Sequence, residues 1–227
     1  KNTRAGGQGD IEKVFGTQRY GSGSPTYERW EIMKGVLFDF DPYKVMSEYE
    51  TIEDLQAALA EAYGALKLKH FSTRYCETML EGAQLLAHFE DTNAFFALID
   101  TLYAINPAFA ANLIDHSVAG FGYALSRDFL KEMGYLRFVK PDDHVLDLCV
   151  MLELTDSRSA TLADQAVTEI ADDVGVEPYT VDKLFFLLGS GNFYNHPDIK
   201  QKFDTSGHKK MKRKTAFVEY VLGQLAR

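Results

Sequence analysis

The sequence predicts an all-α protein, and three observations carry that prediction. Apolar residues recur at three- and four-residue steps, as in Leu55, Ala58, Leu59, Ala62 and Leu66, which share one helix face. Helix-start signals such as Asp41-Pro42 and Asn106-Pro107 and glycine-rich stops punctuate these segments. No stretch alternates apolar and polar residues long enough to make a strand. Roughly ten to twelve helices packed as a globular array are expected, without an internal repeat.

Residues Lys1 to Pro25 are rich in Gly, Ser and Thr and read as a flexible N-terminal arm, with Gly21-Ser22-Gly23-Ser24 as a linker. An all-helical domain over residues 26–227 follows. Tyr27 to Phe40 carries aromatic and aliphatic residues at helical spacing, and Asp41-Pro42 breaks that run and starts the next, because proline is tolerated in a first turn. Thr51 to Leu66, Ser72 to Phe89 and Thr92 to Tyr103 continue the pattern. Asn106-Pro107 starts the helix that enters Val118-Ala119-Gly120-Phe121-Gly122, where two glycines allow a tight turn. A further helix follows that turn, and Pro141-Asp142-Asp143-His144 opens another running through Val145, Leu146, Leu148 and Cys149. Ala160 to Val174, Pro178 to Leu188 and Thr215 to Leu225 complete the set, with Gly189-Ser190-Gly191 read as a stop.

The chain of 227 residues, 46% hydrophobic and 25% charged, has the balance of an ordinary globular protein and can bury a substantial core. No apolar run reaches the roughly 18 residues needed to span a bilayer, so no membrane partner is expected. The opening residues carry no charged-then-apolar signal segment, and a cytoplasmic, reducing setting is the expectation. Cys76 and Cys149 sit in apolar-periodic stretches as buried free thiols, and two cysteines cannot supply the four thiolates of an iron–sulfur cluster. Nor does any Cys/His set show zinc spacing, so neither metal nor other cofactor is expected. No Walker loop, dinucleotide fingerprint or hydrolase elbow is present.

The formal charge of −9 argues against indiscriminate nucleic-acid binding, but the charge is unevenly spread. Lys200 to Arg227 holds eight Lys or Arg against two acids. Its run His208-Lys209-Lys210-Met211-Lys212-Arg213-Lys214 suits either phosphates or a solvated helix start. Lys67, Lys69, His70 and Arg74 form a second basic group, open to the same two readings.

The ordered set of helix, Val118-Ala119-Gly120-Phe121-Gly122 turn, helix and Asp142-Asp143-His144 resembles the helix-hairpin-helix DNA glycosylase superfamily, which includes endonuclease III and the 8-oxoguanine glycosylases. There the hairpin reads close to Leu-Pro-Gly-Val-Gly and a later loop ends in Val-Asp-x-His. Gly120 precedes Asp142 by 22 residues, a separation like that of the endonuclease III branch. The likeness covers about Asn106 to Leu154, with the helix-hairpin-helix at about residues 106–133 and the Asp-x-His segment at 142–144. It implies two helical lobes with a cleft between them, and duplex DNA carrying a modified base as partner. Ala119 stands where the family has Pro, and Phe121 replaces a smaller aliphatic residue.

The resemblance also implies roles. Backbone amides from Gly120 to Ala124 would grip a DNA phosphate, helped by the positive end of the following helix. Family members that also cut the backbone carry a nucleophilic Lys at the place of Ala124. Its absence implies a monofunctional enzyme that hydrolyses the base–sugar bond. Asp142 would be the catalytic carboxylate, stabilising positive charge on the sugar and orienting or deprotonating water. A helix beginning near Asp143 suits a carboxylate at position 142. The same residue also reads as an ordinary N-cap, and Asp143 is the alternative carboxylate. His144 and Lys140 are further DNA-binding candidates, His144 reading equally as a half-buried structural histidine. Asn192, Phe193 and Tyr194 follow a glycine-rich turn and are candidates for the wall of a pocket holding the extruded base, or else fold back onto the helices. Against this stands an inert helix-hairpin-helix module that binds DNA or a protein partner.

Overall fold

Polar caps and prolines set most of the helix starts. The computed structural model describes residues 27–64, 73–191, 193 and 210–225, and all the regular structure among them is helical. The expected N-terminal arm, Lys67, Lys69, His70, Asn192, Tyr194 and the side chains of the basic run before Lys214 lie outside the described residues. None of the described helices is long and apolar enough to cross a membrane. The chain divides into two compact units, Lys1–Met133 and Gly134–Arg227.

In the first unit, α1 (Tyr27–Val36) ends in a single turn, Phe38–Phe40, before α2 (Pro42–Glu48). Phe38, Asp39 and Phe40 all have positive φ, at 52°, 56° and 61°. Left-handed backbone costs about 1–2 kcal/mol per non-glycine residue. Complete burial of Leu37 and Phe40 and the contact of the Phe38 ring with Tyr49 offset that cost. Asp41 caps α2, its Oδ1 accepting from the amides of Tyr43 and Lys44. Thr51 and Asp54 form a reciprocal capping box at the start of α3 (Ile52–Gly64), so Thr51 stands just outside the helix. Leu55, Leu59 and Tyr63 of α3 pack with Tyr75, Cys76, Met79 and Ala83 of α4 (Thr73–Ala87) in one apolar core. α5 (Thr92–Ile105) is capped by Asp91 and α6 (Pro107–Ser117) by Asn106, with Pro107 in its first turn. α7 (Tyr123–Glu132) follows the glycine turn.

In the second unit, α8 (Asp143–Met151), α9 (Ala160–Val174), α10 (Pro178–Ser190) and α11 (Lys210–Leu225) share a second core. Val145, Leu148 and Cys149 of α8 meet Ala163, Val167, Ala171, Val181, Phe185 and Leu188 there. Gly175 and Gly191 end α9 and α10 with left-handed φ of 71° and 76°. Only Gly191 of the Gly-Ser-Gly segment is a stop, since Gly189 and Ser190 lie inside α10. Burial pushes both cysteine thiols up to about 11, with Glu77 adding to the effect at Cys76, so both remain protonated core groups.

Candidate nucleic-acid interface

The hairpin belongs to the first unit, and its turn closes on a hydrogen bond from the Phe121 amide to the Val118 carbonyl, 3.1 Å. Gly120, third residue of that turn, has φ of 85°, the value a type II turn demands there. Gly120→Ala is therefore expected to cost about 1–2 kcal/mol in denaturant unfolding, the left-handed penalty for a residue with a Cβ. Gly122 is different, with φ of −80° and open space where a Cβ would stand.

Position 119 is where a type II turn favours proline. Ala119 leaves the turn less pre-set, and α4 supplies the missing restraint. Glu81 accepts the Ala119 amide proton, and the Thr78 hydroxyl lies 2.5 Å from the Ala119 carbonyl oxygen. Proline here would remove the N–H that Glu81 holds, which explains physically why alanine serves. Phe121 is buried and meets Phe129 edge to face, with ring centroids 5.9 Å apart, so the larger residue ties the turn to α7.

Gly122 is the N-cap of α7 and offers no side chain to its first-turn amides. Ala124, half-buried in that turn, carries no amine. The cations of α7 turn inward. Arg127 is buried, with its guanidinium 3.3 Å from the centroid of the Tyr123 ring, and Lys131 pairs with Asp128 at 3.2 Å.

Asp142 lies in the second unit, as the N-cap of α8. The segment around Pro141 folds tightly, the Asp142 amide donating to the Lys140 carbonyl at 2.7 Å. The Lys140 amide donates to buried Asp182 of α10 at 3.2 Å. Oδ1 of Asp142 accepts from the amides of His144 (3.0 Å) and Val145 (3.2 Å). Oδ2 makes no hydrogen bond to any described residue. The carboxylate is half-buried, fixed by one oxygen and open at the other. The neighbouring acids are engaged: Asp143 pairs with Arg158 at 2.5 Å, and Asp147 with Arg158 at 3.4 Å and with buried Lys214 of α11 at 2.7 Å. Lys214, the last cation of the basic run, is thus spent on α8 rather than left to a phosphate.

His144 points its ring at Phe186 of α10, with centroids 5.8 Å apart at 71°, and neither ring nitrogen bonds a described residue. Gly189 explains how α10 comes so near. A Cβ on Gly189 would stand 2.8 Å from both the Cβ and the carbonyl oxygen of His144. Of the three pocket candidates only Phe193 is described, and it packs against the second core.

The structure thus puts Lys140, Asp142 and His144 together in one unit and Gly120, Gly122 and Ala124 together in the other. Sequence reasoning missed Glu81 and Thr78, which hold the turn, and Phe186 and Gly189, which hold His144. Gly189 between two apolar residues and a glycine-rich end was the one available signal. Comparison of the chain with family models, with curated proteins and with solved structures gives no match.

Proposed function

We propose that this protein is a monofunctional DNA glycosylase, hydrolysing the bond between a damaged or modified base and its sugar in duplex DNA. The observation that carries the reading is the mounting of Asp142. A carboxylate whose one oxygen is fixed by two backbone amides and whose other has no described protein partner can face a reacting sugar without reorganising. In the proposed reaction the base departs with the electrons of the broken C1′–N bond. Asp142 stabilises the positive charge left on the sugar and accepts a proton from the water whose oxygen joins C1′. Ala124 offers no amine for a Schiff base, so the product is an intact strand with an abasic site. The amides opening α7, uncapped at Gly122, serve as the phosphate grip.

Incubation with labelled duplexes carrying uracil, hypoxanthine, 8-oxoguanine, alkylated purines or mismatches tests this. Release of one of these bases is expected, and release of none would remove the enzymatic reading. A related prediction concerns the hairpin. Gly122→Asp fits the open space at that position and supplies α7 with a cap, so the folded state should be unchanged or slightly more stable. Its charge would face the bound phosphate, and DNA affinity should fall at least about tenfold by fluorescence anisotropy.

Two observations favour a second reading, an inert helix-hairpin-helix module. Glu81 sets a carboxylate on the hairpin turn, and Arg127 and Lys131 of α7 are buried instead of facing a strand. Salt-sensitive DNA binding without release of any base would establish that module in place of the enzyme.

A further inference from the structure

Three residues at three-residue spacing on α10 form a stripe that begins against the start of α8. Gly189 meets the backbone of His144, Phe186 meets its ring, and Lys183 holds its ammonium 5.8 Å from the Phe186 ring centroid. Lys183 and Gly189 are six residues apart, roughly 9 Å along the helix. The stripe therefore leads away from the α8 start, where Asp142 sits, to an exposed cation.

The charges of the second unit single that cation out. Among its described side chains, Arg137 pairs with Asp172, Arg158 with Asp143 and Lys214 with Asp147, and Lys140 makes interactions of its own. Lys183 has no carboxylate partner among the described residues. The nearest acid in sequence, Asp182, is buried and accepts the Lys140 amide. Close by, the ring nitrogens of His144 and Oδ2 of Asp142 also lack a described protein partner. The His144 imidazole and the Lys183 ammonium thus both meet the Phe186 ring, and the fixed Asp142 carboxylate stands two residues before His144. Phe186 separates the two nitrogen-bearing groups and gives the Lys183 stem an apolar support.

We propose that Lys183 binds a backbone phosphate of the DNA strand, on the far side of Phe186 from His144, and so guides that strand across the start of α8. The inference rests on the glycosylase reading for its ligand. A Lys that neutralises one phosphate adds about 0.9 to the slope of log K against log salt. Loss of the contact weakens binding uniformly across sequences.

The test is anisotropy of a fluorescein-labelled, unmodified 20-base-pair duplex, titrated at several salt concentrations with wild type, Lys183→Ala, Lys183→Arg and Phe186→Leu. Lys183→Ala should reduce the slope by about 1 with its melting temperature unchanged, and Lys183→Arg should keep the wild-type slope. Phe186→Leu should weaken binding without changing the slope. An unaltered slope in Lys183→Ala, or wild-type binding without salt dependence, overturns the assignment. A reduced slope in a protein that releases no base would uphold the phosphate contact while removing the glycosylase reading.

Discussion

Asp142→Asn should abolish base release almost completely, by about 100- to 1,000-fold or more, while leaving the fold intact. Removing a preorganised group that stabilises transition-state charge costs that much in other enzymes. The substitution is informative because of how Asp142 is mounted. Asn is as good an N-cap as Asp, so the bonds from His144 and Val145 to Oδ1 persist while the charge and the proton acceptor disappear. Asp142→Ala would remove the cap as well and cost about 1 kcal/mol of stability. Single-turnover release and thermal melting on both variants separate chemistry from folding. Release that survives in the Asn variant would move the role elsewhere. Asp143, held by Arg158, would be the next carboxylate to examine.

Gly189→Ala should destabilise the second unit even though position 189 has ordinary helical backbone. The new Cβ would stand 2.8 Å from the His144 carbonyl oxygen, a backbone atom that cannot rotate away. α8 and α10 must then separate, and overpacking of this kind costs about 1–3 kcal/mol. Alanine's better helix propensity returns up to about 1 kcal/mol, leaving a net loss in denaturant unfolding. Release should fall further than stability explains, because His144 is two residues from Asp142 and moves with it. A variant as stable and active as wild type would mean that the helices part without disturbing the site.

Much of the architecture was legible in the sequence. Asp41-Pro42 and Asn106-Pro107 start helices because each places a side-chain acceptor and a residue without an N–H where the first turn needs them. Asp142 was legible at the start of α8 by its side-chain acceptor alone, and Gly122 at the start of α7 only as the end of a glycine turn. What failed to show was tertiary. Glu81 reaches Ala119 across 38 positions, and no local pattern encodes that bond. Gly189 looked like a stop because glycine ends helices so often, yet it is present to let a neighbouring backbone approach. Lys214 sat in a basic run, and only the position of Asp147 on α8 turns it inward. Phe193 was readable as a pocket wall or as core for want of any way to orient its ring, and it packs on the core.

Hydrolytic removal of a base leaves the strand whole until alkali breaks it at the abasic site. The most direct measurement incubates the released-base duplex, labelled on one strand, with the protein and resolves the products with and without hot alkali. Cleavage at the modified position is expected only after alkali, with wild type and not with Asp142→Asn. Strand cleavage before alkali would mean a lyase step that Ala124 cannot perform, and an intact strand under both conditions would contradict the enzymatic account.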